Sequence, residues 1–253
     1  MHDAHKHVAL ITGGSRGIGA ETALALARRG YDIAIAYRNK AARAAEVAAM
    51  IEQQSVAALA IAGDITHQQE RYHLFAELKQ WRGHLDLLIL NASGGIERDL
   101  LAANPDYPMH INRDAQLALL DGALPLMPQG STVLFVTSHW AHLYGRVEQI
   151  PTYEPVAASK HAGEVAMRAR QRDLELQGVR LLVVTGDLIE GTITPKLLER
   201  ASPGLAQQRR GSIGQLPTAA EMGEKIAASA CDPTLPAGHT VVIGGTLESM
   251  LKQ

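Results

Sequence analysis

The stretch YEPVAASK (153–160) sets a phenol, Tyr153, seven residues ahead of an ammonium, Lys160. Two such groups in one pocket can run acid–base chemistry on a carbonyl. A Tyr hydroxyl ordinarily titrates near ~10, and a neighbouring ammonium draws that value down until the phenol can give and take a proton. On a helix turning about 100° per residue, positions seven apart lie within ~20° of one another around the axis and ~10.5 Å apart along it. Both side chains are long, so the gap can be spanned. Pro155 favours the first turn of a helix and places Tyr153 at or just outside its start. Residue 156, four before the lysine, is a valine and has no proton to give. Two alternatives stay open from the residues alone: Tyr153 as a packing residue with Tyr144 as the acid, or no side chain in that role.

A second stretch with chemistry in it is TGGSRGIG (12–19), between an apolar run, VALIT (8–12), and a helix-forming segment, AETALALARRG (20–30). Gly13 permits a tight turn off the strand, Gly17 lets a pyrophosphate approach the backbone, and Gly19 allows close helix–strand packing. The helix start then offers free N–H groups and a positive dipole end to the phosphates. Ser15, Arg16 and Ile18 complete the turn and stand with the glycines as candidate cofactor contacts. The next apolar run, DIAIAY (32–37), ends in Arg38-Asn39-Lys40 with no carboxylate to hold a ribose 2′-hydroxyl, and Asp32 sits at the opposite end. Arg38 and Arg16 together could grip a 2′-phosphate, which selects NADPH over NADH.

These groups need a scaffold, and the remaining apolar runs supply it: VAALAIA (56–62), LDLLIL (85–90), STVLFVT (131–137), VRLLVVT (179–185) and HTVVIG (239–244). They are almost continuously apolar, as strands buried on both faces of a parallel sheet are. Helical patterns separate them near 18–29, 40–53, 67–80, 112–127, 153–177 and 218–230. Thr218 and Glu221 form a capping box at the start of the last. The alternation predicts an α/β fold, one Rossmann-type doubly wound parallel sheet of about seven strands with helices on both faces. It runs through residues 1–253 as one dinucleotide-binding domain. Residues 186–216 form a long excursion that reads as a lid or binding loop.

Composition narrows the class. Of 253 residues 46% are hydrophobic, which fits one large domain or at most two small ones, and a net charge of −2 without a basic tract argues against a nucleic-acid or membrane surface. One cysteine, Cys231, excludes an intramolecular disulfide framework. No run approaches the ~20 apolar residues of a membrane span, and the polar MHDAHKH start has no signal-peptide pattern. A soluble, cytoplasmic protein is expected. His2, His5 and His7 read as a polar terminus, not a metal site.

Taken together, these stretches resemble the short-chain dehydrogenase/reductase (SDR) family over almost the whole chain. The likeness rests on TGGSRGIG (12–19), GDI (63–65), NASGG (91–95), HIN (110–112), VTS (136–138) and ASK (158–160), in that order. It implies that Asp64 and Ile65 contact the adenine and that Asn91, Ala92 and Ser93 form the cofactor-side turn after the fourth strand. It implies further that Asn112 anchors a proton-relay water, Ser138 hydrogen-bonds the substrate oxygen, and Lys160 also binds the nicotinamide ribose. A homotetramer or homodimer through the helices near 112–127 and 153–177 is implied as well. The sequence departs from the family pattern where Val156 replaces the usual Tyr, where the 138–160 segment is longer, and where Thr185-Gly186 and Ile243-Gly244-Gly245 replace Pro-Gly and Asp-Gly-Gly. IPTYEPVAASK (150–160) is instead similar to the enoyl-acyl-carrier-protein reductase branch, whose Tyr and Lys are separated by six residues, although the glycine turn resembles the ketoreductase-like members.

The shifted phenol suits a conjugated substrate. In ketone reduction hydride adds beside the oxygen that the acid touches, whereas in enoyl reduction it adds to the β-carbon and the acid must stand farther away. The leading expectation is an NADPH-dependent reductase of an enoyl small molecule or carrier-bound acyl chain. Carbonyl reduction with a relocated Tyr, and NADP(H) binding without turnover, are the alternatives. His139, Trp140 and His142 follow Ser138 as pocket wall or surface loop, with a His as a further candidate acid. Arg209 and Arg210 read as solvated charges or as contacts to an acidic carrier.

Overall fold

The computed structural model describes residues 6–251. His2 and His5 lie outside the described residues, while His7 stacks on Tyr31 with ring centroids 5.3 Å apart. Among the described residues no group of His, Cys, Asp or Glu is arranged to hold a metal, and no helix is long and apolar enough to cross a membrane.

Seven strands form the sheet: β1 (Val8–Thr12), β2 (Asp32–Tyr37), β3 (Ala58–Ala62), β4 (Leu87–Leu90), β5 (Thr132–Ser138), β6 (Arg180–Gly186) and β7 (Thr240–Ile243). All pairings are parallel and the order is β3-β2-β1-β4-β5-β6-β7. Each lies within or nearly within its expected run, because only strands covered on both faces tolerate such continuous Val, Ile, Leu and Ala. The order reverses between β1 and β4, which opens a crevice above their carboxyl ends.

The helices are α1 (Gly17–Ala27), α2 (Ala41–Glu52), α3 (Gln68–Trp81), α4 (Arg98–Ala103), α5 (Tyr107–Met109), α6 (Ala115–Ala123), α7 (His139–His142), α8 (Glu154–Ala169), α9 (Gln171–Leu176), α10 (Ile193–Ala201), α11 (Leu205–Ile213), α12 (Ala219–Cys231) and α13 (Leu247–Leu251). One apolar core joins α1, α2 and α12 to one sheet face, and a second joins α3, α6 and α8 to the other. Along β1 the faces alternate, Ala9 and Ile11 to the first core and Val8 and Leu10 to the second. A third cluster, including Trp140, Tyr153, Val156, Leu188, Leu198 and Leu216, caps the sheet's carboxyl end. The capping box is present: Glu221 N–H donates to Thr218 Oγ at 3.2 Å and Thr218 N–H to the Glu221 carboxylate at 2.8 Å. The excursion after β6 is more ordered than expected, since it folds into α10 and α11. The long 153–177 pattern breaks into α8 and α9.

Asp32, fully buried at the amino end of β2, accepts the Ala57 N–H at 2.8 Å and Arg82 Nε at 2.8 Å, with the Lys6 ammonium 3.6 Å away. Its work is to pin the sheet at the end remote from the crevice. At the other end, the Thr12 hydroxyl accepts the N–H groups of Asn91 and Ala92, and the Asn91 amide donates back to the Thr12 carbonyl at 2.9 Å. These bonds lock β1 to β4 at the lip of the crevice.

Helix α8 reaches the site through a close contact. Residues His110–Asp114 form a π-type turn before α6, and Gly163 of α8 lies against its Asn112 carbonyl; a Cβ there would stand 2.2 Å from that oxygen. Gly163→Ala is expected to cost about 1–3 kcal/mol of stability through overpacking. Gly211→Ala in α11, where a Cβ meets open space, should gain about 0.5–1 kcal/mol. Thermal denaturation of the two variants checks the opposite signs.

Candidate active site

Two adjoining cavities occupy the carboxyl end of the sheet. The larger, about 550 Å³, is lined by Gly13, Ser15, Arg16, Gly17, Ile18 and Gly19 from the turn after β1, by Arg38 after β2, by Asp64 and Ile65 after β3, and by Asn91, Ala92 and Ser93 after β4. Every residue expected at the cofactor from those four loops is brought together there. The turn has the form the motif needs: Gly13 and Gly17 hold φ of 68° and 56°, and a Cβ on Gly19 would come within 2.4 Å of the Gly13 carbonyl. A Cβ on Gly17 would project toward the groove, with only the Thr192 methyl nearby at 3.7 Å. The groove fits a dinucleotide, its pyrophosphate against the start of α1.

The second cavity, about 220 Å³, shares Arg16, Ile18, Asn91, Ser93, Glu97 and Thr192 with the first and continues under α10. Ser138, Tyr153, Val156 and Lys160 all line it. Tyr153 is the N-cap residue of α8, with Pro155 in the first turn, as its sequence context implied. Its ring is 6% exposed and its hydroxyl donates to Ser138 Oγ at 3.0 Å. Ser138 Oγ also accepts the Ala141 N–H at the start of α7, which fixes the side chain and keeps its own proton for another acceptor. Val156, 2% exposed, closes the wall where the commoner spacing would put a phenol.

Lys160 is 8% exposed, and among the described residues its ammonium has no hydrogen-bond or ion-pair partner. Burial lowers its pKa to about 8. A bare ammonium on a cavity wall calls for hydroxyl or anionic acceptors from a ligand. The Tyr153 phenol departs from expectation: burial pushes it up, opposed only by its bond to Ser138. The protein without cofactor therefore holds this phenol protonated at neutral pH. Asn112 is buried, and its amide donates to the Gly94 carbonyl at 2.8 Å and to Ser159 Oγ at 2.9 Å, while its Oδ1 accepts the Gly94 N–H. This side chain is a strut between α8 and the loop after β4.

Other expectations are corrected. Arg209 is not solvated: it is 3% exposed and bidentate to the buried Asp187, with Nε 3.2 Å from Oδ1 and Nη2 on Oδ2. Arg210 does reach solvent and pairs with Glu190. His139 is fully buried, donating from Nε2 to the Gly244 carbonyl at 2.7 Å and accepting the Thr185 hydroxyl at 2.9 Å, and burial keeps it neutral. His142 faces the Glu164 carboxylate at 2.8 Å. Tyr144 lies 3.5 Å from Glu154 and lines neither cavity, which removes it as the acid. Arg38 bonds the Tyr107 hydroxyl at 2.7 Å and faces Asp64 at 3.8 Å, an engagement no sequence pattern announced. Asp187, a carboxylate directly after β6 at the crevice end of a strand, belongs to no motif of the sequence, and its position is the one readable signal it carries.

Lys160 ties stability to pH. The folded lysine titrates near 8 against 10.5 for the ordinary group, so the cost of burying its charge is full below pH 8 and fades as pH rises toward 10.5. At 1.36 kcal/mol per unit that cost is at most ~3 kcal/mol near pH 7. Lys160→Met should raise the melting temperature of the cofactor-free protein near pH 7, and the gain should shrink toward pH 10. Thermal denaturation across that range measures it.

The short chain dehydrogenase family matches residues 7–201. The 1-cyclohexenylcarbonyl-CoA reductase of Streptomyces collinus is 30% identical over 191 residues, which cover 73% of this chain and 65% of that protein. A short chain dehydrogenase from Burkholderia cenocepacia in complex with NADP superposes with a TM-score of 0.81 at 28% identity, over 96% of this chain and 98% of that one. The angucycline C-6 ketoreductase LanV with bound NADP gives 0.78 at 27%, over 96% of each chain. With that match over most of its length and the dinucleotide crevice in place, the chain belongs to the short-chain dehydrogenase/reductase family.

Proposed function

We propose that the protein is an NADPH-dependent oxidoreductase that reduces a carbon–carbon double bond conjugated to a carbonyl. The observation that carries this reading is the Tyr153 hydroxyl, 3.0 Å from Ser138 Oγ on the wall that Lys160 also lines, with Val156 at the nearer helical position. Arg16 and Arg38, at the rim of the larger cavity, are the candidate grips for a 2′-phosphate. Lys160 takes the ribose hydroxyls, which gives its ammonium the acceptors that the protein withholds. The bound nicotinamide supplies a hydride.

Tyr153 and Ser138 hold the substrate's carbonyl oxygen between two hydroxyls. As the β-carbon gains hydride, the π electrons shift onto that oxygen, and the two O–H groups meet the growing charge. Tyr153 gives its proton, leaving an enol that tautomerises to the saturated carbonyl. Burial keeps the phenol protonated until substrate arrives, and the charge growing on the substrate oxygen draws its proton across. Val156, Ile96, Leu188 and Trp140 keep water from the reacting atoms. The likeness to the 1-cyclohexenylcarbonyl-CoA reductase of Streptomyces collinus supports this reading. The same hydroxyl pair would also hold a ketone oxygen, and the likeness to LanV supports ketone reduction as the second reading.

Oxidation of NADPH with crotonyl thioester, 2-cyclohexenone and acetoacetyl thioester separates the two. Turnover of the first pair and not the third is expected, and the reverse establishes ketone reduction. Tyr153→Phe should lower kcat by about 10²-fold or more, and unchanged turnover in that variant would move the acid elsewhere. Arg38→Ala should weaken NADPH at least about tenfold while leaving NADH binding within a factor of about two, as loss of a phosphate contact does.

A further inference from the structure

Behind the smaller cavity stands a charged pair, Asp187 and Arg209, that the reaction above does not use. Asp187, the residue directly after β6, lines the cavity and is 6% exposed. A bare carboxylate there would repel an apolar substrate. Arg209 of α11 answers it with a bidentate contact, and its guanidinium carbon stands 5.5 Å over the centroid of the Trp140 ring. Trp140, 6% exposed, lines the cavity in turn, in one apolar cluster with Tyr153, Val156, Leu188 and Leu198. The stack of carboxylate, guanidinium and indole ties the end of β6, α11 and α7 into one wall.

The charges of that wall decide what it can face. The carboxylates lining the cavity are Asp187 and Glu97, and each is committed: Asp187 to Arg209, Glu97 to the N–H groups of Gly95 and Ile96 at 2.7 and 3.1 Å. The lining cations are Arg16 and Lys160. Arg16 lines both cavities and faces the cofactor groove, and on the reading above the ribose hydroxyls occupy Lys160, so neither is left to answer an anionic group on the substrate. An anion there would lose its water without a partner, whereas an apolar body gains by burial.

We infer that Trp140, held in place by the buried Asp187–Arg209 pair, is the specificity-determining wall of the substrate site and selects an uncharged, flat, ring-sized apolar group beside the reactive carbonyl. Trp140 touches the substrate, and Asp187 and Arg209 are positioning residues behind it. The inference rests on the reading of this cavity as the reducing site, and the test separates the two.

Wild type, Trp140→Ala, Trp140→Phe and the double variant Asp187→Asn/Arg209→Gln are compared. The double variant removes both charges together and so avoids stranding one of them. Three quantities are read: the Kd of NADPH by fluorescence titration, kcat and KM for 2-cyclohexenone and for its carboxylate-bearing ring analogue, and calorimetric binding of cyclohexanone to the NADPH complex. Wild type should prefer the uncharged ring by about 10²-fold in kcat/KM, the range a mismatched pocket group commands. Trp140→Ala should raise the ring's KM, and its Kd for cyclohexanone, by about tenfold or more, with a smaller effect in Trp140→Phe. The double variant should move in the same direction, with NADPH affinity kept within about twofold in all variants. Equal use of the carboxylate analogue by wild type would overturn the inference. So would ring affinity that ignores Trp140, or ring and NADPH affinity falling in parallel, which marks general loosening. Trp140-dependent ring binding without turnover would retain the wall and sink the reading of the reaction.

Discussion

An uncompensated positive charge governs this site. Lys160 projects from α8 onto the cavity wall with no hydrogen-bond or ion-pair partner among the described residues, and burial brings its pKa down to about 8. A fold tolerates such a cost only when the rest of the neighbourhood cannot relax around it. Here the restraint is geometric. Gly163 seats α8 against the Asn112 carbonyl, the Asn112 amide reaches both Ser159 and the Gly94 loop, and Glu164 is held by His142 and Arg168. Helix α8 can neither slide nor roll, so the ammonium stays aimed at the crevice.

The sequence told the scaffold and the phosphate turn well, and for one reason. Both are local patterns: apolar runs with a period, glycines at fixed offsets, a Thr–Glu capping box three residues apart. That Tyr153 and Lys160 line one cavity was also readable, because helical spacing and Pro155 together dictate where the phenol starts. The direction of its pKa was not, since that depends on how completely residues distant in sequence cover the ring.

What escaped the sequence is what the fold assembles from afar. Asp187 and Arg209 stand 22 positions apart on unrelated elements, and nothing in either segment announces the pair. Arg38 and Tyr107, 69 apart, meet across the larger cavity, which both line. The π-type turn carrying Asn112 likewise has no one-dimensional signature. Surface arginines and buried ones look alike in a string of letters, and only packing tells them apart.

Tyr153 stands at the N-cap position of α8 and not within it, in the 150–153 turn, where its N–H bonds the Ile150 carbonyl. Lys160 is placed by the helix proper. The phenol thus starts from the turn that leads into α8, and the ammonium from the body of the helix two turns on. On the proposed roles of the two residues, a change in that turn would redirect which substrate atom receives the proton while the hold on the nucleotide stayed constant, which makes new reactivity a matter of loop length rather than of a redesigned core.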